Sequence, residues 1–515
     1  MKRRIFLCLM AVLFLVGQMP ATAQNVESRA DPKTSEVFVA KDDQTDNYHA
    51  TTDVEEPVMV YHVIEILGNG NPVTKSGSQV DLAQVRQRVL RGIQAQEEEI
   101  ELTEYKISVD DFVVMMQDLN DSEPSLFYLD RGFSYSKWSD NTVAYCYPRY
   151  TMQGDVLQEA IDFYESEIDR ILEESGALMV EDDLIQALLL NDYIASHYQY
   201  DLSYSIYNAY DMLKYGKAVC QGYTLLYDAL LTECGIENGY ARSTAMNHIW
   251  NLVKIGEHYY HVDVTWADPT SDQYSLVSHN YFMLSDAYIT TNGPGNRHYG
   301  WVSSDGIVCD SDIYDENVFT NARSPFVLCG DEIYYIDFVS GYLCMYKNPF
   351  AEGEAVLAIE DIWFTKDHNG YYYPGTYSGL ASVKDKLYYN TSSGVYCYDP
   401  VQKASKNLIT LDKTGTNDDI IGLCYVGNNT ICYAIAPDVK SNITSILSYT
   451  IPDVPIYAAE DVNCDGKIDM EDVYALLYHL SGISENPSYH VDVDNDGVVN
   501  VEDLNLLLIV MTEDV

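Results

Sequence analysis

Three residues in the middle of the chain have the side chains and the order that nucleophilic catalysis through a cysteine requires. Cys220 lies in GKAVCQGY (216–223), His248 opens HIWNLVKI (248–255), and Asp263 lies in HYYHVDVTW (258–266). This chemistry needs a base that removes the thiol proton. It also needs a carboxylate that fixes the imidazole tautomer and stabilises its charged form. Cys220, His248 and Asp263 are the predicted catalytic residues.

The sequence after Cys220 predicts an amphipathic helix that begins at this cysteine. Apolar residues recur at helical spacing from Tyr223 to Cys234, and Gly235 ends the pattern. The free N–H groups and the dipole of a helix N-terminus favour a thiolate, which is the nucleophilic form of cysteine. A lone cysteine at a helix start is more often a small buried residue, so its partners decide the interpretation.

Residues 248–266 predict a hairpin whose two-residue turn is Gly256-Glu257. If Ile255 opposes His258, then a second strand running through residue 266 makes His248 and Asp263 diagonal neighbours on one face. Diagonal neighbours lie about 7–8 Å apart, within reach of a carboxylate and an imidazole. His258, His261 and Asp268 are nearby competitors, which we interpret as structural.

In order and spacing, these motifs resemble the bacterial transglutaminase-like family of the papain-like superfamily, over roughly residues 180–301. The resemblance implies a thioacyl intermediate on Cys220, with His248 as general base and acid and Asp263 as its orienting group. It leaves the oxyanion donor open between Tyr210 and Gln199. It also leaves hydrolysis, deamidation and crosslinking open, because an acyl-enzyme can react with water or with an amine.

Near the C-terminus, two twelve-residue loops have the pattern of a calcium site. Both read Asp-x-(Asn/Asp)-x-Asp-Gly-x-x-(Asp/Asn)-x-x-Asp, which supplies oxygen ligands at positions 1, 3, 5, 9 and 12 and a backbone carbonyl at position 7. Two Ca²⁺ ions are therefore predicted. The ligands would be Asp461, Asn463, Asp465, Lys467, Asp469 and Asp472 in the first loop, and Asp492, Asp494, Asp496, Val498, Asn500 and Asp503 in the second.

Each loop leads into a single apolar helix, and no helix of matching length is predicted before the first loop. This arrangement resembles the type I dockerin module, a small all-α calcium-binding domain. The resemblance implies a cohesin domain of a scaffold protein as partner. Positions 10 and 11 hold Met470-Glu471 and Val501-Glu502 instead of small hydroxyl residues, so the resemblance does not define which cohesin is bound.

Composition narrows the function classes. The 515 residues include 79 acidic and 30 basic side chains, and a net charge of −49 opposes binding to nucleic acid and anionic lipid. Residues 1–23 read as a signal peptide, with a basic start, a short apolar run and a small-residue cleavage site, so a secreted, extracellular protein without membrane insertion is expected. The cysteines show neither a disulfide framework nor a zinc-type CxxC pair.

The chain reads as a multidomain α+β protein. A disordered linker (24–57) precedes an N-terminal α+β region (58–150), in which residues 125–129 read as strand-like. The catalytic domain (151–301) is followed by a Tyr-rich β-repeat region (302–452), propeller-like or a meander, and by the dockerin (453–515). The repeat rests on turn-like starts at residues 330, 384 and 427.

The leading hypothesis is a cellulosome-associated cysteine hydrolase or acyltransferase that acts on a protein or peptide, cell-wall or plant-derived. One alternative is a non-catalytic binding or structural component. Another is an accessory polysaccharide-degrading protein, for which no paired-carboxylate motif is found.

Overall fold

The computed structural model describes residues 58–63, 80–269, 274–291, 298–359, 375–414, 418–437 and 442–452, and nearer the C-terminus residues 462–463, 468, 470–482, 491, 493 and 498–513. The predicted signal peptide and linker lie outside these residues. Across the described helices, none combines the length and the apolar character needed to cross a membrane.

The helices and strands of the described residues follow one another in this order: β1 (Val58–Val63), α1 (Leu82–Gln94), β2 (Ile100–Glu101), α2 (Val109–Ser122), β3 (Gly132–Lys137), β4 (Val143–Tyr147), α3 (Gly154–Ser175), α4 (Asp183–His197), β5 (Gln199–Tyr200), α5 (Ala209–Tyr215), β6 (Lys217–Ala218), α6 (Cys220–Cys234), β7 (Asn238–Ser243), β8 (His248–Ile255), β9 (His258–Val262), α7 (Val264–Ala267), β10 (Phe282–Leu284), α8 (Asp286–Thr291), β11 (Trp301–Ser303), β12 (Val327–Cys329), β13 (Glu332–Asp337), β14 (Tyr342–Met345), β15 (Glu354–Ala358), β16 (Leu380–Val383), β17 (Lys386–Asn390), β18 (Gly394–Asp399), β19 (Ala404–Thr410), β20 (Asp419–Tyr425), β21 (Thr430–Ala436), β22 (Ser445–Thr450), α9 (Met470–Leu480) and α10 (Val501–Glu513).

The N-terminal region packs α1 and α2 with a sheet of order β1-β3-β4-β2 around its own core. Ser108 caps α2 by accepting the N–H of Asp111. The strand-like prediction for residues 125–129 is wrong. Its first two residues belong to a 3-10 turn that begins at Pro124, which has no N–H to donate to a strand partner, and its last residue, Leu129, forms an isolated bridge with Tyr150.

The central region surrounds α4 and α6, which belong to one hydrophobic core. Helix α4 is buried from Leu184 to Ser196, as expected of a helix without a polar face. Beside the helices lies a sheet of order β10-β9-β8-β7-β11. The predicted helix stop is confirmed, because Gly235 has φ +79° at the C-cap of α6.

The β-rich region consists of three consecutive antiparallel sheets, β12–β15, β16–β19 and β20–β22. The three predicted turn starts lie at the hairpins β12–β13, β16–β17 and β20–β21. This region packs on the central one through His197, whose Nε2 lies 2.8 Å from the carbonyl of Tyr425, and through Asp192, which accepts the N–H of Phe326 at 2.6 Å. The cysteines of the described residues are all free thiols.

Candidate active site

Cys220 is the first residue of α6, as the sequence predicted. Val219 stands at the N-cap and offers no side-chain hydrogen bond, so no capping side chain stands between the thiol and the start of the helix. The cysteine is only 3% exposed. The positive end of the helix dipole thus lies beside a largely desolvated sulfur.

Two hydrogen bonds join α6 to β8 and so set the position of Cys220 relative to His248. The hydroxyl of Thr224 donates to the carbonyl of Ile249 at 3.1 Å. In return, the side-chain amide of Asn251 donates to the carbonyl of Thr224 at 3.0 Å. Both pairs are buried, so the thiol and the imidazole are carried by two elements fixed to each other.

The structure brings His248 and Asp263 together, but by a different route from the predicted one. The hairpin register is confirmed, with Ile255 opposite His258. Strand β9 nevertheless ends at Val262, and Asp263 is the N-cap of α7, where its Oδ1 accepts the N–H of Trp266 at 3.1 Å. The prediction of a strand through residue 266 is therefore wrong. A capping aspartate, a common helix-start residue, brings Oδ2 to 2.6 Å from Nε2 of His248.

The charges of the site favour a protonated His248 and an ionised Asp263. Burial alone would lower the pKa of His248, but the charge of Asp263 and hydrogen bonds with Asp263 and Cys220 outweigh it and raise this pKa to about 10. Burial opposes ionisation of Asp263, yet His248 and His298 hold the pKa of its carboxyl well below the usual range. Nε2 of His248 is hydrogen-bonded to Asp263, so Nδ1 is the atom that forms the hydrogen bond with Cys220.

His298 belongs to the site and was missed from the sequence. Its Nε2 lies 2.8 Å from Oδ2 of Asp263, the oxygen that His248 also contacts. It lies 35 residues after Asp263, outside the motif that located the other three, so spacing gave no signal for it. The ring of His248 is itself held between Trp250 and Trp266, with centroids 5.4 and 5.5 Å away.

The two predicted oxyanion candidates do not gain support from their surroundings. Tyr210 stacks on Phe127 at 4.6 Å, and its hydroxyl accepts a hydrogen bond from Lys214. Gln199 is exposed on β5. Tyr200 and Tyr207 are instead the tyrosines that interact electrostatically with Cys220. Burial, together with nearby charges that include Cys220, raises the pKa of both phenols.

The competing residues occupy structural positions. His258 is exposed beside Asp310, and Asp268 accepts the hydroxyl of Tyr223 at 2.6 Å. His261 is buried, and burial lowers its pKa. Its Nδ1 accepts the indole N–H of Trp250 at 2.9 Å.

Two clusters have metal-binding residue types. In the first, His261 lies beside Asp286 and Cys309. Because Nδ1 of His261 is an acceptor, its proton is on Nε2 and faces Asp286 at 2.8 Å, so no lone pair is offered to a metal there. In the second, His248 and His298 both direct Nε2 at Asp263. These contacts describe hydrogen-bonded networks.

One wall of the site comes from the N-terminal region. The side-chain amide of Gln221, next to Cys220, donates to the carbonyl of Asn120 at 3.2 Å and to Asp121 at 3.3 Å. A small cavity of about 50 Å³ lies beside it and is lined by Arg131 and Tyr207 among others. A larger cavity, of about 280 Å³, is lined by α3, α4 and the β-rich region and includes none of the three predicted catalytic residues.

The C-terminal loops are described in part. The predicted ligands Asp461, Asp465, Lys467, Asp469, Asp492, Asp494 and Asp496 lie outside the described residues. Asp472 and Asp503, the twelfth loop residues, are buried in the first turns of α9 and α10.

Both buried carboxylates turn back toward their own loops. Asp472 accepts the N–H of Asn463 at 3.0 Å. Asp503 accepts the N–H groups of Val493 and Asn500, each at 2.7 Å. A donor set of carboxylate, amide and carbonyl oxygens fits calcium.

Comparison with known proteins places two families on the chain. Residues 176–264 match the transglutaminase-like superfamily, and residues 459–508 match the type I dockerin domain. A solved structure titled "Crystal structure of a TGase" is 16% identical and covers 32% of this chain and 50% of its own, with a TM-score of 0.21, too low to bear on the fold. The chain thus spans half the length of that structure. Among curated proteins, none matches.

The chain therefore carries a transglutaminase-like domain and a type I dockerin. Type I dockerin domains bind calcium, and their partner is a cohesin.

Proposed function

We propose that this protein is a secreted cysteine hydrolase or acyltransferase that acts on amide bonds of proteins or peptides while its dockerin holds it on a scaffold. The observation that carries the proposal is the 2.6 Å contact between His248 and Asp263 beside a helix-start Cys220. A nucleophile, a base and an orienting carboxylate on fixed elements are the parts that acyl transfer needs.

The reaction begins with the thiolate of Cys220 attacking an amide carbonyl carbon. The C–N bond breaks, the imidazolium of His248 gives its Nδ1 proton to the departing amine, and a thioester remains on Cys220. Water or a second amine then attacks the thioester as His248 takes up its proton, and the thiolate leaves. Asp263 stays ionised throughout and stabilises the imidazolium.

Mass spectrometry of candidate cell-wall and plant proteins, incubated with the wild type and with Cys220→Ala, tests the proposal. Cleaved, deamidated or crosslinked products should form with the wild type and be absent with Cys220→Ala. Cys234→Ala is the matched control, because this partly exposed thiol ends the same helix and should be dispensable. Equal products from the wild type and Cys220→Ala would reject the proposal.

A non-catalytic binding component is the second candidate, and the burial of Cys220 and His248 is the observation that favours it. Labelling with iodoacetamide separates the two. A catalytic thiol should be alkylated faster than the other cysteines near pH 6–7, because its thiolate is already formed. A Cys220 that reacts no faster than Cys234 would favour the non-catalytic component.

For the second half of the proposal, two calcium ions are held by the loops 461–472 and 492–503 and keep the dockerin in its cohesin-binding form. The ions would neutralise carboxylates that otherwise repel one another. EDTA should abolish capture of the full chain by an immobilised cohesin, and added Ca²⁺ should restore it. Capture that persists in EDTA would contradict this part.

A further inference from the structure

His298 lies outside the transglutaminase-like match, which ends at residue 264. It nevertheless contacts the carboxylate of Asp263 in the candidate active site. It follows a stretch outside the described residues, and its backbone N–H donates to the carbonyl of Ile289 at 3.1 Å. Its side chain is completely buried. A buried polar side chain is normally hydrogen-bonded, so the partners of this imidazole indicate why it is buried here.

The surroundings of the ring leave Nε2 as its hydrogen-bonding atom. Aromatic side chains surround it, with ring centroids 4.6 Å away at Trp250, 4.4 Å at Trp266 and 5.2 Å at Tyr281. Within the described residues, Nδ1 of His298 has no hydrogen-bond partner. The Nε2–H therefore makes the polar contact of this side chain, with Oδ2 of Asp263 at 2.8 Å.

Asp263 as a result accepts three N–H groups. Oδ2 receives those of His248 and His298, and Oδ1 receives the backbone N–H of Trp266. A fully buried carboxylate without donors tends to take up a proton, whereas one with two or three donors stays ionised. If Asp263 became neutral, His248 would lose the partner that keeps its proton, and Cys220 would lose its imidazolium.

We propose that His298 is a positioning residue that holds the Asp263 carboxylate ionised and oriented, so that the site works as a Cys220–His248–Asp263–His298 tetrad. The inference rests on the proposed cysteine chemistry and deepens it. His298 touches no reacting atom, and acts on Cys220 through Asp263 and His248.

A matched pair of variants tests it in the full chain. His298→Gln keeps an amide N–H at about the place of Nε2, and His298→Met has a similar length without a donor. The readout is the alkylation rate of Cys220 by iodoacetamide against pH, followed by mass spectrometry of the Cys220 peptide. It needs no substrate and reports the thiolate directly.

In the wild type and His298→Gln, Cys220 should be alkylated readily near pH 6. In His298→Met, the pH profile of the rate should move to higher pH, and the rate near pH 6 should fall by about 10-fold to 100-fold, as expected when a supporting group is lost. Circular dichroism shows whether each variant is folded.

The outcomes separate the two proposals. A wild-type Cys220 that is alkylated near pH 6 no faster than Cys234 would overturn both the cysteine mechanism and this inference. A fast wild-type rate that His298→Met leaves unchanged would overturn the inference alone, as would a His298→Gln variant that is slowed as far as His298→Met.

A second measurement does not use His298→Met and covers the case in which that variant fails to fold. In protein labelled with ¹⁵N-histidine, Nε2 of His298 should carry a proton between pH 6 and pH 8, with the resonance assigned by its loss in His298→Gln. An Nε2 without a proton in this range would overturn the inference.

Discussion

Nη1 of Arg242 lies 3.2 Å from Oδ2 of Asp121, and this ion pair joins the sheet that carries His248 to the end of α2. The side chains are 16% and 2% exposed. Asp121 also accepts from Gln221, the neighbour of the nucleophile. The family match begins at residue 176, so a region outside it forms part of the active-site wall.

Breaking this pair should destabilise the protein strongly. Arg242→Met leaves the buried Asp121 without its counter-charge, and we expect a loss of about 3 kcal/mol in unfolding free energy, since a buried pair that loses one partner keeps an uncompensated charge. Urea unfolding followed by near-UV circular dichroism measures it. Lys254→Met is the control, because its pair with Glu237 is more exposed than the Arg242–Asp121 pair and should contribute little to stability. Equal losses in the two variants would contradict the argument.

The pKa of His248 predicts the alkaline limit of activity. Its imidazolium must protonate the leaving amine, and a pKa raised to about 10 keeps that proton available as the pH rises to this value. Asp263→Asn removes the charge that raises the pKa, so burial would lower it below the ordinary value of about 6.5. We expect the alkaline limb of product formation to move from near 10 to below neutral pH.

The rate at neutral pH should also fall in Asp263→Asn, by about 10³-fold to 10⁴-fold, as orienting carboxylates of this kind contribute in serine proteases. Both quantities come from initial rates of product formation between pH 5 and pH 11. An unchanged alkaline limb would show that Asp263 does not control the charge of His248.

The sequence predicted which side chains of the candidate site come together better than it predicted how the backbone brings them there. Cys220 at a helix start and the Ile255–His258 register follow from local patterns, which are periodicity and a two-residue turn. Asp263 follows an apolar alternation that does not reveal where a strand stops and a helix cap begins. His298 is brought in by tertiary packing alone, so no spacing in the sequence could have indicated it.

Ala218 and Gly222 pack closely against each other beside Cys220. A Cβ on Gly222 would lie 2.4 Å from the Cβ of Ala218. Gly222→Ala should therefore cost about 1–3 kcal/mol by overpacking and should slow alkylation of Cys220, because the first turn of α6 must shift.

The double variant Gly222→Ala with Ala218→Gly tests that cause, since it removes the atom that the new methyl group would meet. It should recover most of the stability and alkylation rate lost in Gly222→Ala. Thermal unfolding and iodoacetamide labelling measure the two effects. A double variant as impaired as the single one would show that the contact with Ala218 is not responsible.

Calcium removal should act on the C-terminal helices and leave the catalytic region folded. Asp472 and Asp503 are buried acceptors at the starts of α9 and α10, and each is joined to its own loop by backbone hydrogen bonds. When the metal leaves, the carboxylates of each loop repel one another. The loops then no longer hold the first turns of α9 and α10 in place. Hydrogen exchange measured by mass spectrometry should show residues 470–480 and 501–513 losing protection in EDTA, while peptides of α6 keep theirs.

Asp472→Ala should produce the same loss in α9 with calcium present, and the exposed neighbour Glu471→Gln should not. Protection of α9 that survives both EDTA and Asp472→Ala would mean that the dockerin folds by packing alone.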